Sequence, residues 1–294
     1  AMGARTLRGY VEQPLIDAKE INCRLEAVEE LTQKPMLRDE IREYLNPIYD
    51  LERLISRISY QSANPRDMVA FASSLEMIPY IRQILQEFEA PILKQIFEDM
   101  DPLEDVTDLI KRAITDEPPL AQKDGGIIRE GYNADVDKYR HSRTDGKKWL
   151  AELEAREKER TGIKTLKIKY SRVFGYALEV TNSFKDQVPD NYVRKQTLTN
   201  AERYITQELK DLEDLILGAE DRLYALEYEL FADVRDKVGK EVVRIQKTAK
   251  AIAALDVFAS LALVAERNNF VRPKINENGV LDIKNGRHPV VEQM

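Results

Sequence analysis

The chain has 294 residues, a third of them charged, a net charge of −7 and little glycine or proline. That composition excludes a disordered or collagen-like chain and fits a helix-rich protein with a sizeable core. A single cysteine, Cys23, excludes an internal disulfide framework, and with no apolar run reading as a membrane span and no signal peptide at the start, the expectation is a cytoplasmic protein with no membrane partner.

From Leu15 to about Thr115 the periodicity is helical. Asp17 is placed to cap a helix carrying Ile21, Leu25, Val28 and Leu31. Breaks at Pro35, Pro47 and Asn64-Pro65 separate helices expected over 36–45, 48–59 and 66–88, with two more over 91–100 and 102–115. Asp116 to Asp124 is a polar break. Gly125 to Tyr132 then reads as a short extended segment leading into a long helix that ends at Gly162, a left-handed C-cap residue. Val136, Tyr139, Arg143, Gly146, Leu150 and Leu153 form a loose heptad seam on it.

Leu166, Ile168 and Tyr170 alternate with Lys167, Lys169 and Ser171, and Tyr176, Leu178 and Val180 alternate with Ala177 and Glu179. That is strand patterning around a turn at Ser171 to Gly175, with a third short run from Tyr192 to Leu198. The tyrosines share positions with aliphatic residues and read as a small core. Between Lys164 and Arg203 stand eight basic and four acidic residues, a local charge of +4 in an acidic chain. Such an island is the footprint of a phosphate-backbone binder or, more blandly, a solvated strand face.

Thr199-x-x-Glu202 has the spacing of a capping box, so a returning helix is expected from Asn200. Ile205, Leu209, Leu212, Ile216, Ala219, Leu223, Leu226 and Leu230 give it an apolar seam. From Ile205 to Asp236 it carries ten acids and three bases, so it should repel a polyanion that the β element attracts. Glu227 and Glu229 read as solvated. After Gly239 a helix is expected over 240–266, and Val280-Leu-Asp-Ile and Pro289-Val-Val-Glu look like strand beginnings.

Phe174-Gly-Tyr-Ala-Leu-Glu-Val, Tyr192-Val-Arg-Lys-Gln-Thr-Leu-Thr-Asn-Ala-Glu-Arg-Tyr and Glu157-Lys-Glu-Arg-Thr-Gly162 resemble the clamp region of the MutS family of bacterial DNA mismatch-recognition proteins. Met2-Gly-x-Arg-x-Leu-Arg-x-Tyr and Asn285-Gly-Arg-His-Pro-Val-Val-Glu resemble the start of that family's core domain and the approach to its ATPase domain. The resemblance implies a mainly α fold: a helical core over 1–124, an outgoing lever helix over 125–162, a β clamp over 163–199, a returning lever helix over 200–238, core completion over 239–266, and the start of an ATPase domain over 267–294. It implies mismatch repair, with double-stranded DNA as partner, and in the full-length family protein a homodimer that works with MutL and uses ATP and Mg. The sequence has no Gly-x-x-x-x-Gly-Lys-Ser/Thr loop, so the chain is expected to be no enzyme by itself and to hold no cofactor. Its two histidines and one cysteine do not make a zinc site.

The candidate DNA contacts are Ser171, Arg172 and Val173 at the strand turn, Arg194 and Lys195, only one of which can face DNA, and Thr199, Asn200 and Arg203 at the start of the expected helix, whose free N–H groups suit a phosphate. The competing reading is a structural coiled-coil arm whose β tip binds a protein.

Overall fold

The computed structural model describes residues 2–121 and 124–294. Residues 122 and 123, in the expected polar break, lie outside the described residues. The fold is mainly α, as expected, with one four-stranded antiparallel sheet. It divides into two compact units: Ala1–Ala63, Asp67–Ile110 and Arg235–Met294 form the first, and Asn64–Arg66 and Lys111–Val234 the second.

The first unit is built on α11 (Val242–Asn268), which packs against α1 (Gly3–Glu12), α2 (Ala18–Gln33), α3 (Pro35–Leu45), α4 (Leu51–Ser59) and α7 (Pro91–Asp99). Ile245, Ala249, Ile252, Leu255, Phe258 and Ala262 bury several sides of this helix. The expectation that no apolar run reaches membrane-span length is corrected here: α11 is long and apolar enough by composition to cross one. It is apolar all round because five helices surround it. Asp17 caps α2 as expected, accepting a hydrogen bond from Glu20 N at 2.9 Å. The helix expected over 66–88 is two, α5 (Pro65–Leu75) and α6 (Ile78–Leu85). Pro79 lacks the N–H that a continuous helix would need and sits in the first turn of α6, where none is required. The first unit also includes α8 (Glu104–Ala113) up to Ile110. No strand forms over 270–294. Leu281 and Ile283 are 86% and 69% exposed, so the apolar side chains expected in strands find nothing to pair with among the described residues.

In the second unit Ile128 pairs with Ile114 as a single antiparallel bridge, which bears out the extended segment. Helix α9 (Ala134–Thr161) starts on Asn133, whose side chain accepts from Asp135 N and Val136 N, and ends at Gly162 with φ 71°. Helix α10 (Gln207–Lys240) returns beside it. Leu209, Ile216 and Leu223 of the expected seam are buried, whereas Leu212, Ala219, Leu226 and Leu230 are half-buried. Gly146 lets the helices approach: a Cβ there would stand 2.5 Å from Ile216 Cγ1. Arg143 reaches Glu220 at 3.2 Å, and Arg156 pairs with Glu208. Acids counted as repulsive on α10 are therefore partly matched by arginines of α9.

Glu227 overturns its reading as a solvated residue. It is fully buried, and its carboxylate accepts from Gly126 N at 2.8 Å, Ile128 N at 3.1 Å and Arg140 Nη2 at 2.5 Å. A buried carboxylate persists only when its lone pairs are filled in this way.

The sheet holds β1 (Lys167–Ser171), β2 (Gly175–Thr181), β3 (Val193–Thr197) and β4 (Ala201–Ile205) in the order β1-β2-β4-β3. The fourth strand corrects the expected helix start at Asn200. Ala201 to Ile205 pairs with β2 on one side and β3 on the other. Thr206 is the residue that starts the helix, accepting from Leu209 N at 3.2 Å. Thr199-x-x-Glu202 spans a hairpin instead, because Ala201, Arg203 and Ile205 alternate with Glu202 and Tyr204 and fit the pleat.

Candidate nucleic-acid interface

One face of the sheet is a core. Ile163, Leu166, Leu178, Val180, Tyr192 and Tyr204 pack with Leu150, Leu153, Leu209 and Ile216 of the two helices. The Tyr192 and Tyr204 rings meet tilted with centroids 5.8 Å apart, while the Tyr170 ring, 4.9 Å from Tyr176, is half exposed.

Carboxylates from the helices tie down this face. Glu154 accepts from Ile168 N at 2.9 Å, Glu213 from Tyr176 N at 2.7 Å, and Glu157 from the Tyr192 hydroxyl at 2.6 Å and from Arg160. Burial pushes the Glu157 carboxyl up, but the bonds from Arg160 and Tyr192 outweigh it and hold it below the usual carboxylate range. Burial, with Glu202 on its hydroxyl, pushes the Tyr204 phenol up to about 12.

The opposite face points away from this core. In register across it lie Lys167, Glu179, Arg203 and Gln196. Glu179 takes Lys169 at 2.7 Å and Arg203 at 3.0 Å, and Arg203 Nη1 also donates to Gln196 at 3.0 Å. Burial raises the Glu179 carboxyl, yet the bonds from Lys169 and Arg203 leave it below its ordinary value. Arg203, expected one turn into a helix, is thus a strand residue held by partners. Arg194 stands 3.7 Å from Glu202 and Lys195 falls in the register shift of β3. Lys164, Lys167, Arg172, Lys185 and Lys195 have no carboxylate within ion-pair distance among the described residues.

The expected contacts do not all converge. Ser171, Arg172 and Val173 form the β1–β2 turn, and Glu213 in the second turn of α10 bonds that hairpin, so the turn lies beside the acidic helix rather than beyond it. Thr199 and Asn200 form the β3–β4 turn. Because β2 and β4 pair with Thr181 opposite Ala201, this second turn is at the other end of the sheet, about 20 Å away for a strand the length of β2.

At that other end three loops are bonded together. Asn182 N donates to the Asn200 carbonyl at 3.2 Å and Asn182 Nδ2 to the Thr199 carbonyl at 3.1 Å. Thr165 and Thr181 share a hydroxyl bond of 2.9 Å, and Thr181 and Ser183 one of 3.2 Å. The amides of Thr199 and Asn200 donate to no acceptor among the described residues. Lys164 leads into this edge and Lys185, in the 3₁₀ turn Asn182–Gln187, follows it. The edge joins exposed cations, hydroxyls and free amides, the donor set that phosphate oxygens take. Sequence reasoning counted Lys164 and Lys185 as charge but could not place them, because the pairing that gathers these loops is not local.

The second unit is thus a small basic sheet seated by its apolar face on a pair of long helices and carrying a cationic loop edge. The chain belongs to the MutS domain III family, whose model matches residues 1–262. It is similar over its whole length to the DNA mismatch repair protein MutS of Lachnoclostridium phytofermentans, at 64% identity and covering 32% of that protein. It is also 50% identical over 294 residues to MutS of Acetivibrio thermocellus, and 53% identical over 291 residues to MutS of Caldanaerobacter subterraneus subsp. tengcongensis, covering 34% of each. The chain thus spans about a third of the length of the curated relatives it matches.

Proposed function

We propose that this chain serves DNA mismatch repair by gripping the phosphate backbone of duplex DNA with the sheet of its second unit, without reading base sequence. The observation that carries the reading is the hydrogen-bonded loop edge of Lys164, Thr165, Asn182, Ser183, Lys185, Thr199 and Asn200, which pairs unmatched cations with free amides. Lys195 adds charge from β3, and Arg172 lies at the far end of the sheet beside the acids of α10. Arg194 and Arg203 already have carboxylates and contribute less. The helices α9 and α10 then act as the lever that carries this grip to other parts of a longer protein.

The ATP and Mg that the family resemblance implies find no phosphate-binding loop in this sequence. Among the described residues no group of three or more His, Cys, Asp and Glu side chains is gathered for a metal. On this proposal they act elsewhere in the longer protein, as do its pairing with a second copy and its contact with MutL.

The test is a fluorescence-anisotropy titration with a random-sequence duplex at several salt concentrations. Binding should weaken steeply with salt, and Lys164→Ala and Lys185→Ala should each make the log–log slope shallower by about one unit, equally on matched and mismatched duplexes. Salt-independent binding, or slopes unchanged by both variants, would overturn the reading. The unpaired edge strand β3, with Val193 64% exposed, favours the second reading of a protein-binding strand edge, which such a result would promote.

A further inference from the structure

The outer face of the sheet holds a second cluster of cations, and it is already occupied. Lys169 Nζ lies 2.7 Å from one oxygen of Glu179, and Arg203 Nε lies 3.0 Å from the other. Gln196 orients the same guanidinium from behind through its Nη1. Lys167, the register partner of Glu179 on β1, adds an unmatched charge beside them. The Glu179 side chain is only 16% exposed, sunk between its two partners. Two donors on the two oxygens of one carboxylate is an arrangement that the two non-bridging oxygens of a phosphodiester also satisfy.

We infer that the outer face of the sheet is a second backbone-phosphate site, filled in the free protein by the chain's own Glu179. This inference rests on the reading of duplex DNA as the ligand and adds to it a mask that sets how strongly the sheet binds. Lys169 and Arg203 count as two basic residues in the sequence, but Glu179 cancels one of the two charges and occupies donors of both. The charge this face offers a duplex is then smaller than its basic residues suggest, and grip strength is held down with it. Weak grip has a use in a sequence-independent binder, which must leave one stretch of duplex for the next.

Removing the mask without changing its shape is the direct test. On the 294-residue chain, Glu179→Gln should bind a random-sequence duplex about threefold or more tighter at low salt, with a log–log salt slope steeper by about one to two units. Asp186→Asn, which removes an acid near the loop edge but frees no paired cation, should leave the slope unchanged. Lys169→Gln should be nearly silent in the parent and should cost binding in the Glu179→Gln background, a non-additivity that a general field effect does not produce. A parental slope for Glu179→Gln, or equal effects of Lys169→Gln in both backgrounds, would overturn the inference. If Lys164→Ala and Lys185→Ala still weakened binding in that case, the DNA reading would stand and the mask alone would fail. If Glu179→Gln failed to fold, the prediction for Lys169→Gln in the parent would remain: a loss there as large as that of Lys185→Ala would sink the mask.

Discussion

The two units solve the same problem in different ways. Around α11 the first unit rests more on apolar contact, burying Leu255, Ile252 and Phe258 against neighbouring helices, with Glu30 on the amides of Glu89 and Ala90 and Asp256 on that of Gly3 as its carboxylate joints. In the second unit the joints are carboxylates: Glu227 fixes the segment before α9, Glu154 and Glu213 fix strands, and Glu157 fixes Tyr192. Apolar packing is tolerant of small shifts, whereas a carboxylate with two or three directed donors specifies position. A sheet that must sit at a defined place on two helices gains more from the second device.

The comparison breaks most sharply at Glu227. Glu227→Ala leaves two buried backbone amides without an acceptor and Arg140 with only the Ile128 carbonyl, and should cost about 3–5 kcal/mol. The corresponding cut in the first unit, Leu255→Ala, should cost about 2–5 kcal/mol through a cavity. Trp149, the single tryptophan, lies on α9. Its fluorescence in a denaturant titration should shift for Glu227→Ala, while Leu255→Ala shifts the far-ultraviolet signal first. Equal responses of the two probes to both variants would show that the units unfold as one.

Gly146→Ala should cost about 1–3 kcal/mol by forcing Ile216 aside, read as a lower thermal midpoint. Thr206→Ala should cost about 1 kcal/mol by removing a helix cap, while Thr199→Ala should leave stability unchanged. The reverse order would restore the helix start at Asn200. The smallest effect is one of pH. Glu157 is depressed in the folded chain, so its contribution is present above the ordinary carboxylate value and is lost as pH falls through the lower folded value. Glu157→Gln should therefore lower stability at neutral pH and flatten its decline into acid; an unchanged acid limb in Tm against pH would deny Glu157 that role.

Much of this fold was legible because its signals are local. Asp17 and Gly162 mark helix ends by their own chemistry, and β1 and β2 alternate cleanly. Thr199-x-x-Glu202 misled because hydroxyl and carboxylate three apart suit a helix start and a hairpin alike, and the deciding partner, β2, lies some twenty residues back. Glu227 was illegible because a seam is found by its apolar residues, and a carboxylate satisfied by Arg140, 87 positions away, reads as solvated. At the site, the charge excess was visible but its division was not. Only the folded sheet shows that Glu179 pairs with Lys169 and Arg203 while Lys164 and Lys185 have no carboxylate partner among the described residues.

The missing side chain at Gly146 also acts as a key. Moving α9 by one turn along α10 would bring Arg143 or Leu150 to the place where Ile216 now meets bare backbone. Either would jam. A one-turn slip of the two helices past each other is therefore opposed at this contact. On the proposed lever reading, a rod that resists slipping is what transmission would need, and the bare Cα of Gly146 would be its lock.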